Sequence, residues 1–307
     1  MRIVTLLATL FTAACCTTLP RLPQKRVAFT APAAPFAEVI ETAGHFYDEK
    51  RNRDVEVRSY SPAGPHGRLP VVIVSHGIGE DRDSYAYLGR AIARQGFLAV
   101  HLTHAGTDRA TLEKGYRQLY RATKDPRNWI DRALDVTFVL DQLALQPGFD
   151  VEHSAVVGHS AGAFTAFAVA GMKSPGGESL RDPRIKAIVP ISMPRIAGSY
   201  DAIDIPVLNL TGTCDTSLIY RTFPRHRRIP FESSQAARQY LVTLQGVNHD
   251  MFSAKQDPHH GVIAAIAVAF LRAWLQDDAS ARAWFEDAGR GEAMGTRVSV
   301  ERHEHRN

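Results

Sequence analysis

The stretch from Ser154 to Gly171 constrains this chain more than any other. It opens with Ala155-Val156-Val157, a short apolar run that reads as a buried strand, and closes with the small and apolar residues Ala161 to Ala170, which read as a buried helix. Between them stands Gly158-His159-Ser160-Ala161-Gly162, a Gly-x-Ser-x-Gly match. A chain that turns this abruptly from strand to helix brings the two elements into close approach, and glycine has no Cβ to obstruct it. Ser160 is pushed to the tip of the turn with its hydroxyl exposed above the sheet. The helix that begins there brings free N–H groups and its positive dipole end to the same point. The plainer alternative is a Gly/Ser turn inside an ordinary α/β domain.

The surrounding pattern alternates strand and helix. Asp54–Tyr60 alternates like an edge strand, and Leu69–Ser75 is a continuous apolar run suited to a central parallel strand covered on both faces. A helix over Ser84–Arg94, a strand over Phe97–Leu102 and a helix over Trp129–Leu145 follow; residues 109–128 read as a short helix and a surface loop. Ile185–Ile191, Ile205–Leu210 and Tyr240–Leu244 are further strands, and His260–Leu275 is an apolar closing helix. The alternation predicts an α/β fold with a mainly parallel central sheet and helices on both faces. No large cap insertion is evident. The domain should run over 41–276, followed by a charged C-terminal tail at 277–307 with a short helix and a frayed end.

A serine hydroxyl is a weak nucleophile until an imidazole takes its proton and a carboxylate orients that imidazole. In a parallel sheet these partners must come from loops at the strands' C-terminal ends. Pro206–Leu210 runs into Thr211-Gly212-Thr213-Cys214-Asp215, which puts Asp215 at that edge. Asp201 and Asp204 precede the strand, at the wrong end. The last strand leads into Gly246-Val247-Asn248-His249, which puts His249 there too. The order Ser160, Asp215, His249 is one of the known triad orders. His76 and His159 flank glycine or the nucleophile and read as structural. His104 follows a strand but precedes Ser160. The backbone N–H of Ala161 is one candidate oxyanion donor. The other comes from His76-Gly77-Ile78-Gly79, with Ile78 favoured and Gly79 as runner-up.

The chain has 307 residues, 45% hydrophobic and 22% charged, a globular composition. Its net charge of +4 comes without a Lys/Arg block interleaved with aromatics, so nucleic acid is not expected as a partner. No metal-ligand spacing is present, Gly77-x-Gly79 lacks the third glycine of a dinucleotide fingerprint, and no cofactor is expected. Met1-Arg2 and the apolar stretch Ile3–Ala14 read as a signal segment over residues 1–15. Thr12-Ala13-Ala14-Cys15 resembles a bacterial lipoprotein cleavage box, with Thr12 where Leu or Val is usual; ordinary signal cleavage is the runner-up. Cys15 would then carry the lipid, residues 16–40 would be a linker, and the protein would be exported, anchored at a membrane in the periplasm or secreted. Of the three cysteines only Cys214 lies in the body of the chain, so no internal disulfide framework is expected, and Cys214 reads as a small buried residue.

Val72-Ile73-Val74-Ser75-His76-Gly77, Arg82-Asp83-Ser84-Tyr85, the 97–108 segment, Ala133–Asp141 and the Ser160 turn together resemble the bacterial predicted dienelactone hydrolase group. That group is related to the platelet-activating-factor acetylhydrolases within the α/β-hydrolase superfamily. The likeness covers about residues 54–275. Dienelactone hydrolases proper use a cysteine nucleophile where this chain has Ser160. The resemblance implies an α/β-hydrolase fold and a serine hydrolase acting on a carboxylic ester through an acyl-enzyme. The expected substrate is a small or short-acyl ester, with an acidic or phospholipid-like one suggested by the basic run Phe223–Arg228, unless that run is a merely solvated loop. A non-catalytic binding protein on the same fold, or a hydrolase of amide or polyester bonds, are the alternatives.

Overall fold

The computed structural model describes residues 16–21, 29–173, 179–234, 236, 238–287 and 289–303. The expected signal segment, including Cys15, lies outside the described residues.

One sheet runs through the molecule in the order β1-β2-β4-β3-β5-β6-β7-β8-β10-β9. At one edge β1 (Val39–Asp48) and β2 (Arg53–Pro62) form an antiparallel pair, and β2 pairs antiparallel with β4 (Leu98–Leu102). The centre is parallel: β4, β3 (Leu69–Ser75), β5 (Phe149–His159), β6 (Ile185–Ile191), β7 (Val207–Cys214) and β8 (Gln239–Asn248). The apolar run of β3 explains its central position. Val72 and Val74 enter the core on one face, while Val71 and Ile73 enter the core on the other.

Helices cover both faces, and a short one, α6 (Ile229–Ser233), lies between β7 and β8 in the chain. On one side α1 (Ala86–Ala93), α7 (His260–Leu275) and α8 (Ala279–Glu286) supply Leu88, Ile92, Ile263, Phe270 and Phe285 to one core. In the chain, α2 (Arg109–Glu113) and α3 (Tyr116–Ala122) follow β4 and precede the helices of the other face. On that face α4 (Pro126–Ala144) and α5 (Ala161–Ala170) bring Val136, Val139, Phe164 and Phe167 to the second core. α4 starts where Asp125 accepts the N–H of Arg127 and Pro126 takes the first helical position. All ten residues of α5 are buried, which its small side chains permit between sheet and neighbours.

Three expectations need correction. Residues 277–303 do not fray. After α8, β9 (Gly289–Ala293) and β10 (Thr296–Arg302) form a hairpin whose β10 pairs antiparallel with β8. Thr296-Arg297-Val298-Ser299-Val300 has the period of two that a strand needs, with Val298 and Val300 turned into the core, but the flanking charges mask it in the sequence. The 16–40 segment is not a free linker throughout. Phe29 is buried beside Trp284 and bridges to Ala293. Finally, Cys214 is not an isolated buried residue: it forms a disulfide with Cys16. Thr17 donates its N–H to the Thr213 carbonyl at 2.8 Å, laying the segment alongside the end of β7 and bringing the two sulfurs together. Chain spacing could not reveal this, because the pair spans a separation of 198 residues.

Candidate active site

At the end of β5 the backbone turns into α5 through Ser160, whose φ of 54° and ψ of −113° lie in a strained region for a non-glycine residue. The two glycines make the turn possible. A Cβ on Gly158 would stand 2.0 Å from the Gly162 carbonyl oxygen, and one on Gly162 would stand 1.9 Å from that of Ser75. No side chain fits either position. Ser160 donates its own N–H to the Ile191 carbonyl at 2.9 Å, which pins the tip to β6.

The structure brings the three residues singled out in the sequence together. His249 Nε2 lies 3.2 Å from Ser160 Oγ, and His249 Nδ1 lies 2.9 Å from Asp215 Oδ1. Asp215 is fully buried and Ser160 nearly so, while the His249 side chain keeps 14% exposure. Asp215 is saturated by donors. Ser192 and Thr211 donate hydroxyls to Oδ2 at 2.6 and 2.7 Å, and Arg227 donates to Oδ1 at 2.8 Å. Burial alone would raise its pKa. The charge of Arg227 and the hydrogen bonds from His249 and Ser192 outweigh burial and hold the carboxyl well below the usual range. An anionic Asp215 only accepts, so His249 carries its proton on Nδ1 and turns the Nε2 lone pair to Ser160.

Arg227 is a residue the sequence did not bring forward. Its side chain is 1% exposed, and its guanidinium also donates to the carbonyls of Ser192 and Met193 at 2.7 and 2.8 Å. It stands 3.1 Å from His249 Nδ1. The basic run Phe223–Arg228 is therefore not a substrate-facing patch as a whole. Arg227 faces the Asp215 carboxylate, and Arg228 pairs with Glu301 and Glu232. No spacing rule connects a loop arginine to a buried aspartate, so only the fold reveals the contact.

The loop after β3 lies in front of the turn. Gly77 donates its N–H to Glu80 Oε2 at 2.7 Å, and Gly79 donates to the Thr107 carbonyl at 2.8 Å. Among the described residues Ile78 is then the member of this trio whose N–H has no partner. Ala161 opens α5, so its N–H has no preceding turn to bond. Glu80 also accepts the Tyr85 hydroxyl, and Tyr85 contacts His159 Nδ1 at 2.7 Å, which braces the loop from behind. Burial first, then the charge of His249, pushes His159 well below its ordinary value, so the ring is a neutral structural group.

A second Ser-His-Asp set lies beneath the same loop. His104 Nε2 is 2.9 Å from Ser75 Oγ, and its Nδ1 is 3.0 Å from Asp135 Oδ2. All three are buried with no exposure. No reactant can reach Ser75. Arg132 donates to the Ser75 hydroxyl and the His76 carbonyl, and His104 donates its N–H to His76 Nε2, so this cluster fixes the loop that carries Ile78.

Ser160 and His249 open into a cavity of about 510 Å³, whose wall includes Ile78, Cys214, Leu218, Ile219, Tyr220 and Phe223. Cys214 and its disulfide therefore border the cavity. Asp204 pairs with Arg181 at the surface, away from this edge, in accord with its position before the strand.

In a comparison with protein-family models, residues 54–206 match the family described as Chlorophyllase. The match is just under half of the chain; it includes the Ser160 turn and ends before Asp215 and His249. A search of curated proteins finds no match to the chain. The matched family is of α/β-hydrolase type, related to the dienelactone hydrolase group but not that group itself. A parallel sheet flanked by helices, a Gly-x-Ser-x-Gly turn between β5 and α5, and that family match agree with one another, and the chain has the α/β-hydrolase fold.

Proposed function

We propose that the protein is a serine hydrolase that cleaves a carboxylic ester through an acyl-enzyme. The observation that carries this reading is the continuous chain of contacts from Ser160 Oγ and His249, which line the cavity, to the buried Asp215 behind them. In the reaction Ser160 Oγ attacks the ester carbonyl while His249 Nε2 takes the hydroxyl proton. Negative charge collects on the former carbonyl oxygen, which the N–H groups of Ile78 and Ala161 receive. The C–O bond breaks as Nε2 returns the proton to the leaving alcohol. Water then enters, gives its proton to the same nitrogen, attacks the acyl carbonyl and releases the acid and Ser160. Asp215 stays ionised throughout and holds the imidazolium between steps.

A cavity of about 510 Å³ with an apolar wall of Ile78, Leu218, Ile219 and Phe223 favours a compact, short-acyl ester. Turnover of p-nitrophenyl esters of increasing acyl length tests both claims. Wild-type protein is expected to prefer the short chains, and Ser160→Ala to lose about 10⁴ to 10⁶ in kcat with the fold intact. Undiminished turnover by Ser160→Ala would sink the reading.

The protein is further proposed to be exported, with Cys15 lipidated. The support is the lipoprotein-like box in the sequence together with the Cys16–Cys214 disulfide, a bond that persists in oxidising compartments.

A further inference from the structure

The charge of this protein is concentrated beside the cavity. Residues 109–127 hold six basic residues, Arg109, Lys114, Arg117, Arg121, Lys124 and Arg127, against two acids, Glu113 and Asp125. That surplus of four equals the +4 of the entire chain, so the rest of the molecule sums to zero. Arg109 and Arg127 are paired with Asp81 and Asp125. Lys114, Arg117, Arg121 and Lys124 are exposed and in no ion pair among the described residues. The expectation that no Lys/Arg run is interleaved with aromatics is corrected here: spacing dilutes these cations, but Lys114, Arg117, Arg121 and Lys124 alternate with Tyr116 and Tyr120 across α2 and α3 and form one basic patch.

The same patch carries apolar side chains that a water-facing surface has no use for. Of the ten strongly exposed large apolar residues among those described, five come from α2, α3 and the loop after Asp215: Leu112, Tyr116, Tyr120, Leu218 and Ile219. Leu218 is 77% exposed and Tyr116 60%. Tyr116 and Tyr120 stand one helical turn apart, with Lys124 Nζ 5.0 Å from the Tyr120 ring centre. The two stretches meet at the cavity. Leu112 and Leu119 pack against Gly79, next to Ile78, while Leu218 and Ile219 line the cavity wall itself. Trp129, just past α3, makes an edge contact with Tyr220 of the same wall.

Tyrosines and leucines interleaved with unpaired lysines and arginines are the chemistry of an element lying in the plane of an anionic membrane interface. The chain's N-terminal side is tied to this end as well, since Cys16 is bonded to Cys214 on the cavity wall. We propose that α2, α3 and residues 217–221 form a docking face for an anionic lipid surface, so that the mouth of the cavity opens toward the bilayer and takes its ester from there. The delivery of an ester rests on the hydrolase reading; the docking itself does not.

The full chain, incubated with phosphatidylglycerol/phosphatidylcholine vesicles and followed by hydrogen exchange, tests the proposal. Protection is expected in peptides spanning 109–124 and 216–221, and not with phosphatidylcholine alone. The triple variant Lys114→Glu/Arg117→Glu/Arg121→Glu should lose that protection and bind the anionic vesicles about a hundredfold more weakly. Its turnover of soluble p-nitrophenyl acetate should stay unchanged. Protection confined to other regions, equal protection by neutral vesicles, or an unaffected triple variant would overturn the docking face. Equal protection by a single-stranded oligonucleotide would overturn it in favour of a general polyanion site. Loss of soluble-ester turnover in the wild type would count against the hydrolase reading alone.

Discussion

Asp215 Oδ1 receives two donors, His249 and Arg227, and the balance between them sets how the proposed triad is held. In the His249 tautomer that serves Ser160, Nδ1 carries a proton, so Arg227 at 3.1 Å cannot bond to it and acts through Asp215 and the loop carbonyls. Arg227→Ala removes a buried cation and leaves the carboxylate short of a partner, along with the carbonyls of Ser192 and Met193. Breaking a buried pair in this way costs about 3–5 kcal/mol. A clear fall in Tm and at least a tenfold loss of kcat are expected. Arg227→Lys keeps a charge beside Asp215 but cannot fork onto both carbonyls. It should restore turnover more than Tm. Equal recovery of the two, or no effect of Arg227→Ala, would reduce Arg227 to packing.

The elements explain what was legible in the sequence. Ser160, Asp215 and His249 each follow an apolar run, and parallel strands deliver such loops to one edge, so the candidates could be named from the chain alone. Arg227 follows no strand: it sits in a one-turn segment, Pro224–Arg228, whose path is set by tertiary contacts. The Ser75-His104-Asp135 set was invisible for a related reason, because Asp135 comes from the middle of α4, where an aspartate ordinarily faces water. β10 was hidden by its charges. The N-terminal segment was misjudged because residues 16–40, rich in Thr, Pro and Ala, read as a linker, whereas Thr17 pairs with the end of β7. Peptide mapping of the exported protein without reduction checks this region. A Cys16–Cys214 crosslinked fragment and a lipid-modified Cys15 are expected. A free Cys214 thiol would contradict the disulfide, and an unmodified terminus beginning after Cys16 would contradict both the anchor and the disulfide.

Across the whole molecule, several histidines are buried neutral. Burial pushes His101 and His104 down to about 4, and holds His76 and His159 well below their ordinary value of 6.5. The unfolded chain therefore binds more protons than the folded one below about pH 6.5, and stability falls as pH drops. Each such histidine contributes about 1.4 kcal/mol of loss per pH unit between its unfolded and folded values. The lowered carboxyls of Asp135 and Asp215 add a further loss below about pH 4. Tm should be level above pH 7 and drop steeply from pH 6 to 4; a Tm that stays level to pH 5 would mean these rings are hydrated or charged in the folded state.

The parallel sheet, the close-packed glycines of the Ser160 turn and the apolar cavity all serve one claim, that a single serine is both activated and reachable. The protein contains its own control, since Ser75 has the same His-Asp partners at similar distances but no exposure. Treatment with a fluorophosphonate, followed by mass spectrometry of the peptides, reads the difference directly. One phosphonyl adduct is expected, on Ser160, that disappears in His249→Ala while Ser75 remains unmodified. An adduct on Ser75 or elsewhere in place of Ser160, or no adduct in protein with an intact fold, would contradict that claim.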